Sequence, residues 1–339
     1  MLGVTFLLLV SGWAGTSAPA EPTTAVYGPE EFAALSETAL VPECSGVIAS
    51  RRNKDVYWTH NDSGGDRPRV WAFRLSAADR KRQVAKHLGY VELPGASNVD
   101  WEDIAAGQGG TIYVFDGGDN PPCRRDNKRI HRFAEPAIDP DGPPVALTAK
   151  FDSIRFEYPD PANPARPAQK NSDRYDAECL LVHPASGDMY VVTKRSNRNR
   201  PIARVYKLPA GGVAWDSDRV HVLEFVTDLS SVAMNMVTAG DVSRDGKRVV
   251  LRNYWSAFEY VLPPGEPFEA IFRQPPRAIP LSSELVHMLQ GEGICYSLDG
   301  RELITTTESP QRNGDVKFRV FVVPRLANRP STMPTQASP

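Results

Sequence analysis

Asp100-Trp101-Glu102-Asp103-Ile104-Ala105 runs into a glycine-rich turn at 107–110, and Ile112-Tyr113-Val114 then leads to Asp116-Gly117-Gly118-Asp119-Asn120. A polar or acidic residue opens an apolar strand, a tight turn reverses the chain, and a second strand ends in polar side chains. The same order recurs four more times. Ser45-Gly46-Val47-Ile48-Ala49-Ser50 turns at Asn53-Lys54, continues Val56-Tyr57-Trp58 and ends His60-Asn61-Asp62. Asp176-Ala177-Glu178-Cys179-Leu180-Leu181-Val182 turns at Ser186-Gly187 and ends at Lys194-Arg195. Thr238-Ala239-Gly240-Asp241-Val242-Ser243 turns at Asp245-Gly246 and ends at Asn253. Gln290-Gly291-Glu292-Gly293-Ile294-Cys295-Tyr296 turns at Asp299-Gly300 and ends at Glu308.

Each turn carries Gly, Asn or Asp, the residues that tolerate the backbone of a tight hairpin. Further strand candidates follow: Val70–Leu75, Ile130–Phe133, Val205–Leu208, Val220–Val226, Phe258–Leu262 and Phe318–Val323. Helical periodicity is nearly absent, Pro29–Ser36 being the best short candidate. Ser45, Glu102, Glu178, Thr238 and Glu292 are separated by 57, 76, 60 and 54 residues. Four strands per unit at such a period mark an all-β chain of the β-propeller type. The last unit is short, and residues 21–44 supply the missing length, so the N-terminal segment is expected to provide the outer strand of the last blade. That closure pairs both ends of the chain and hides a sheet edge. The count is five blades, with six as the alternative if the insert at 121–175 holds a degenerate one. Residues 21–324 read as a single domain, 158–172 as an exposed loop, and 325–339 as a Pro-rich disordered tail.

In such a blade the innermost strand lines a central channel and the next strand returns antiparallel. The start of the first and the end of the second therefore share one mouth. Glu102, Glu178 and Glu292 arrive there from strand starts, flanked by Asp100, Asp103, Asp176 and Gln290. His60, Asn61, Asp62, Asp116, Asp119, Asn120, Lys194, Arg195, Asn253 and Glu308 arrive from strand ends. Crowded carboxylates repel strongly at low dielectric. A cation, ion pairs with Lys194 and Arg195, or retained protons would each relieve the repulsion. Oxygen donors with a single His favour Ca²⁺ over zinc. The plainer alternative for an inner-strand acid is to cap backbone N–H groups of the neighbouring blade.

The chain has 339 residues, with 39 Lys+Arg against 41 Asp+Glu. This balance gives no electrostatic ground for a nucleic-acid or membrane partner. The partner expected is a small-molecule or polymer ligand at the mouth, and the protein is expected to be a monomer. Val4–Val10 is apolar, the first twenty residues carry no charge, and Ala18-Pro19-Ala20 ends them. This reads as a signal peptide cleaved after Ala20 and a secreted or periplasmic protein. Cys44, Cys123, Cys179 and Cys295 lack CxxC spacing. Outside the cytoplasm they can pair in three ways, or remain buried thiols. No Gly-x-Ser-x-Gly elbow, P-loop or dinucleotide fingerprint is present.

Taken in order, the runs His60-Asn61-Asp62-Ser63-Gly64, Asp100 to Ala105, Asp116 to Asn120, Asp176-Ala177-Glu178 and Gln290-Gly291-Glu292 resemble a group of secreted, largely uncharacterised bacterial β-propellers. The resemblance covers roughly residues 43 to 310. More distantly the acidic pattern is similar to calcium-dependent propeller hydrolases, the phytase-like esterases and the lactonases. That resemblance implies Glu102, Glu178, Glu292, Asp119 and Asn120 as cation ligands and His60 or Asp62 as the proton carrier. Asn61, Asp100, Asp116, Asp176, Lys194, Arg195, Asn253, Gln290 and Glu308 would then contact the ligand. Ser45 and Thr238 depart from the pattern, standing where the other units carry Glu. A hydrolase of phosphoesters or lactones is expected first, a non-catalytic binding scaffold second, and a carboxylate-based glycosidase third.

Overall fold

The computed structural model describes residues 26–62, 67–194, 202–229, 234–281, 289–309 and 316–326. The signal segment, Arg195 and most of the tail lie outside them. The structure is nearly all β. Antiparallel meanders follow one another along the chain, each beginning with a strand that is wholly buried or, in Val237–Val242, buried at all but Asp241. The first runs Cys44–Ala49, Val56–Asn61, Arg69–Arg74 and Val84–Glu92. The second runs Trp101–Ala106, Thr111–Asp116, Arg129–Ala134 and Phe151–Glu157. Next come Ala177–Val182, Met189–Thr193, Arg204–Leu208 and Glu224–Asp228. Val237–Val242, Arg248–Asn253, Ala257–Val261 and Arg277–Ile279 form another.

The final meander, Gly291–Tyr296, Glu302–Thr307 and Arg319–Leu326, takes its outermost strand from the other end of the chain. Glu31–Ser36 pairs antiparallel with Arg319–Leu326, Phe32 opposite Phe321. Tyr27 reaches across to Glu259 Oε1 at 2.7 Å, and Glu30 Oε1 accepts from Thr305 Oγ1 at 2.7 Å. Within 29–36 the chain forms the strand Glu31–Ser36, not the helix its composition favours. Pairing with an exposed sheet edge outweighs a weak local propensity. Among the described residues the α-helix is Ala77–Arg82, set by a Ser76/Asp79 capping box.

The first strands of the meanders neighbour one another in a closed cycle. Cys44–Ala49 lies beside Trp101–Ala106, then Ala177–Val182, Val237–Val242 and Gly291–Tyr296, which returns to Cys44–Ala49. This is a β-propeller arrangement, with the apolar cores between successive sheets. Trp58, Trp101, Ile104 and Val114 fill one such interface, and Phe115, Phe156, Leu180 and Tyr206 fill the next. Three strands of the 121–175 insert, Arg129–Ala134, Val145–Thr148 and Phe151–Glu157, join the sheets of the first two meanders. Phe151–Glu157 completes the second meander, and Val145–Thr148 adds in parallel to Val84–Glu92. The 158–172 stretch carries an exposed hairpin, Pro159–Asp160 with Asn163–Pro167. Val220–Val226 splits: Val220–Val222 pairs with Phe151–Glu157, and Glu224–Asp228 with Arg204–Leu208. All four cysteines are free and buried. No helix among the described residues is long and apolar enough to cross a membrane.

Candidate functional site

Every inner strand breaks register with its partner at one place. The shift falls between Cys44 and Val47, Trp101 and Asp103, Ala177 and Cys179, Val237 and Ala239, and Gly291 and Ile294. Ser45, Glu102, Glu178, Thr238 and Glu292 stand at these bulges. A bulge leaves a residue out of the ladder and re-aims its side chain. Two of the five are used for the ring itself. Ser45 Oγ donates to the Glu102 carbonyl at 2.6 Å, and Thr238 Oγ1 to the Gly291 and Glu292 carbonyls at 3.1 Å. A hydroxyl at the bulge ties one inner strand to the next, which is why those two units do not carry Glu.

The remaining three bulge positions carry buried glutamates, 4%, 4% and 6% exposed for Glu102, Glu178 and Glu292. Oxygens of Glu102, Asp176 and Glu178 lie within 4.8 Å of one another, and so do those of Asp62, Asp100 and Glu102. Glu102 belongs to both groups. The Glu102 carboxyl is pushed well above the usual range by burial and by the charges of Glu178, Asp62, Asp176 and Asp100. Glu292 is raised the same way by burial, Glu178 and Glu308. Glu178 is also raised by burial, although Lys194 opposes the shift. The ammonium of Lys194 pairs with Glu178 Oε1 and lies 5.1 Å from the Tyr254 ring centre. Burial pulls the Lys194 pKa down, but Glu178 and Tyr254 more than offset it and keep the ammonium charged. Asp176 is 2% exposed; its Oδ1 accepts from the Asp119 N–H at 2.8 Å, and its Oδ2 has no hydrogen-bond partner.

Gly118 makes this crowding possible. A Cβ there would overlap Glu102 Oε1 and Asp100 Oδ2, so the backbone of the Asp116–Asn120 turn approaches the cluster where a side chain would not fit.

Several expected residues are placed elsewhere. His60 is 0% exposed, its Nδ1 lies 2.9 Å from the Asn61 carbonyl oxygen, and its ring packs edge-on to Trp101 at 6.0 Å. Burial lowers its pKa to about 4, so it stays neutral inside the wall of the ring. Trp101 is likewise fully enclosed. Asp119 is held by Lys128 at 2.7 Å and by the N–H groups of Arg124 and Arg125. Asp116 is held by Arg125 at 2.7 Å. Asn120 lies on an exposed turn, its carbonyl accepting from the Cys123 N–H at 3.3 Å. Asn61 and Asn253 each fasten a loop after a strand. Asn61 Oδ1 accepts from the Glu43 N–H and its Nδ2 donates to Leu40 O, while Asn253 Oδ1 accepts from the Trp255 and Ser256 N–H groups. Gln290 bonds Glu308 at 2.9 Å on the rim. Arg195 lies outside the described residues.

Sequence reasoning placed Asp103 at the mouth and missed the roles of Asp241, Arg252 and Tyr254. Asp103 Oδ2 accepts from the Leu180 N–H at 2.9 Å, and Asp241 Oδ2 from the Tyr296 N–H at 2.9 Å. These acids cap the backbone of the next inner strand, the role considered earlier for the glutamates. Arg252, 0% exposed, donates to the Gly293 carbonyl at 3.1 Å and opposes the rise of the Glu292 pKa. Tyr254 stands beside Lys194 at the rim. The signal available for Asp103 and Asp241 was position: each follows its bulge on an inner strand.

No protein-family model matches this chain, and no curated protein matches it. Among solved structures, it is similar to the β-propeller domain of Cps50 (Swd1) from Myceliophteria thermophila: TM-score 0.40, 10% identity, 86% of this chain and 99% of that one. It is also similar to an exo-β-1,3-galactanase from Phanerochaete chrysosporium in complex with β-1,3-galactotriose: TM-score 0.45, 10% identity, 87% of this chain and 64% of that one. A nidogen/laminin complex shows a TM-score of 0.37 at 9% identity over 78% of this chain and 72% of that one. At these values none of the three assigns a residue or an activity here.

Proposed function

We propose that the chain is a secreted five-bladed propeller, its last blade completed by Glu31–Ser36, that holds a divalent cation in the acidic mouth of its channel and there binds and hydrolyses an oxygen-rich ligand. The observation that carries this reading is the triplet Glu102, Asp176 and Glu178, whose oxygens lie within 4.8 Å of one another with Asp176 Oδ2 unpartnered. Two oxygens on opposite sides of a Ca²⁺ ion at about 2.4 Å are about 4.8 Å apart, so the spacing fits a shared ion. An all-carboxylate donor set selects a hard cation, and calcium suits it. When bound, the ion would polarise a ligand oxygen and acidify a coordinated water.

The chain's own residues do the rest. Glu102, Asp176 and Glu178 would hold the ion, while Lys194 pairs with the outer side of Glu178 and fixes its orientation. Asp62, only partly buried, is better placed than the enclosed His60 to take a proton from water. The expected ligands Glu292, Asp119 and Asn120 are left out: Glu292 does not belong to the triplet, and Lys128 already neutralises Asp119. A lactone or phosphoester is the substrate class to test first. A second reading is glycoside hydrolysis by the carboxyls alone, which in retaining enzymes uses two carboxyls about 5–5.5 Å apart.

The deciding experiment combines calcium titration calorimetry of the purified chain with activity panels of phosphomonoesters, phosphodiesters, lactones and aryl glycosides, each with and without EDTA. Calcium binding with EDTA-sensitive turnover of an ester or lactone supports the first reading. EDTA-insensitive glycoside cleavage supports the second. No calcium binding and no turnover overturns both.

A further inference from the structure

Asp176 has one oxygen to offer the cluster because the other is already engaged. Its Oδ1 accepts from the Asp119 N–H at 2.8 Å, and Oδ2 has no partner. The side chain that aims that N–H is Arg125. The Gly118 carbonyl and the Asp119 N–H are the two ends of one planar trans peptide and point opposite ways. Whatever holds the oxygen therefore sets the direction of the N–H. Arg125 Nη1 donates to the Gly118 carbonyl at 2.5 Å. A charged donor on the carbonyl also polarises the peptide and strengthens the N–H that grips Asp176.

The same guanidinium reaches the other half of the cluster. Its Nη2 donates to Asp116 Oδ1 at 2.7 Å, and that oxygen also accepts from the Asp100 N–H at 3.0 Å. The Gly118 N–H closes the link on the Asp100 carbonyl at 3.2 Å. Asp100 directly precedes the inner strand that carries Glu102, and Asp176 directly precedes the one that carries Glu178. One largely buried side chain thus ties together the starts of two neighbouring inner strands. Its own segment is anchored in turn. The Arg124 and Arg125 N–H groups donate to the Asp119 carboxylate, and the buried Lys128 ammonium bonds Asp119 at 2.7 Å and the Arg125 carbonyl at 2.8 Å.

Such bracing bears on which ion fits. Ca²⁺ takes most of its oxygens from the protein at about 2.4 Å, whereas Mg²⁺ requires about 2.0–2.1 Å and keeps several of its waters. A span that cannot contract favours the larger ion. We propose that Arg125 is the positioning residue of the cation site: it fixes the span between Glu102 and Asp176 Oδ2 and so sets a preference for Ca²⁺ over Mg²⁺. This deepens the cation reading above and rests on it. Arg125 acts through the Gly118–Asp119 peptide and Asp116, and the Asp116 carboxylate offsets its charge.

The test is calorimetric titration of the full chain with calcium chloride and with magnesium chloride. Wild type, Arg125→Lys and Arg125→Met are compared, and circular-dichroism melts in EDTA establish that each is folded. Expected is a wild type that binds calcium about a hundredfold more tightly than magnesium, the discrimination that a rigid span allows. R125K keeps the charge but one ammonium cannot span both acceptors, so calcium affinity should fall about tenfold and magnesium affinity less than about threefold. R125M should lose about 10–100-fold for calcium, again with the smaller change for magnesium. Should R125M not fold, the calcium-to-magnesium ratio of R125K decides alone. A role through charge only would leave R125K like wild type and make R125M bind both ions more tightly, and that result overturns the proposal. Equal losses for both ions, the mark of a merely weakened fold, overturn it too, as does a wild type that does not discriminate. A wild type that binds neither ion removes the cation reading itself, and the positioning role falls with it.

Discussion

Withdrawing divalent cations and raising the pH should destabilise the protein, with a slope set by the buried glutamates. Glu102 and Glu292 are both pushed well above the usual carboxylate range, first by burial and then by neighbouring acids. In the unfolded chain they titrate near ~4.3. Between that value and their folded pKa the folded protein keeps protons that the unfolded chain has lost. Stability therefore falls as pH rises through this window, and below ~4.3 the two states bind these protons equally and the effect vanishes. Each such group contributes about 1.4 kcal/mol per pH unit, so the pair reaches at most about 3 kcal/mol per unit, less where their coupling through Glu178 spreads the titration. At roughly 2 °C per kcal/mol for a chain of this size, the melting midpoint in EDTA should drop by about 2–6 °C per pH unit as the pH rises through this window. Calcium ligates the ionised form, so it should flatten this slope and add about 2.7 kcal/mol at a hundredfold excess over Kd. Circular-dichroism melts across that pH range, with EDTA and with calcium, read both effects. Apo stability that is level or rising with pH, or melts indifferent to calcium at every pH, would refute the reasoning.

Three further outcomes follow from particular contacts. Glu178→Gln leaves the Lys194 ammonium buried without its carboxylate and should cost about 3–5 kcal/mol in urea denaturation, whereas Glu178→Gln with Lys194→Met should cost clearly less. Gly118→Ala forces the Glu102 carboxylate aside and should weaken calcium binding at least tenfold by calorimetry; unchanged affinity would remove the turn from the site. Glu135→Ala orphans Trp58 Nε1, the Arg51 N–H and Ser50 Oγ between the first two sheets. It should cost about 2–4 kcal/mol in the same denaturation while leaving calcium affinity unaltered.

The repeat was legible because its punctuation is local. A Gly, Asn or Asp turn between two apolar runs is written into adjacent residues, so the inner strands around Glu102 and Glu178 lie where the pattern puts them. Glu31-Phe32-Ala33-Ala34-Leu35 is locally the best short helical candidate, and its strand state shows only in the count of residues that asks the N-terminal segment to complete the last blade, as it does by pairing with Arg319–Leu326. The site divides along the same line. A shared position identifies Glu102, Glu178 and Glu292, but only the folded ring shows that each occupies a bulge. Asp119 resembled a ligand until Lys128, nine residues on, proved to fold back upon it. His60 is expected at the mouth from its strand-end position, yet the ring is enclosed beside Trp101, a contact between neighbouring sheets that no local pattern records.

Pairing Glu31–Ser36 with Arg319–Leu326 imposes an order on biosynthesis. A strand made early must wait for one made near the end, and the four-stranded unit they share cannot assemble on the way out. Until then a partly made chain carries a bare edge at each extremity, open to a second nascent copy. Joining ends so far apart is also slow, because little of the loop entropy is recovered before the join is made. Yield should therefore respond to whatever shields those edges during translation, such as a slower elongation rate, a lower temperature or a holdase, more than to substitutions in the packed interior.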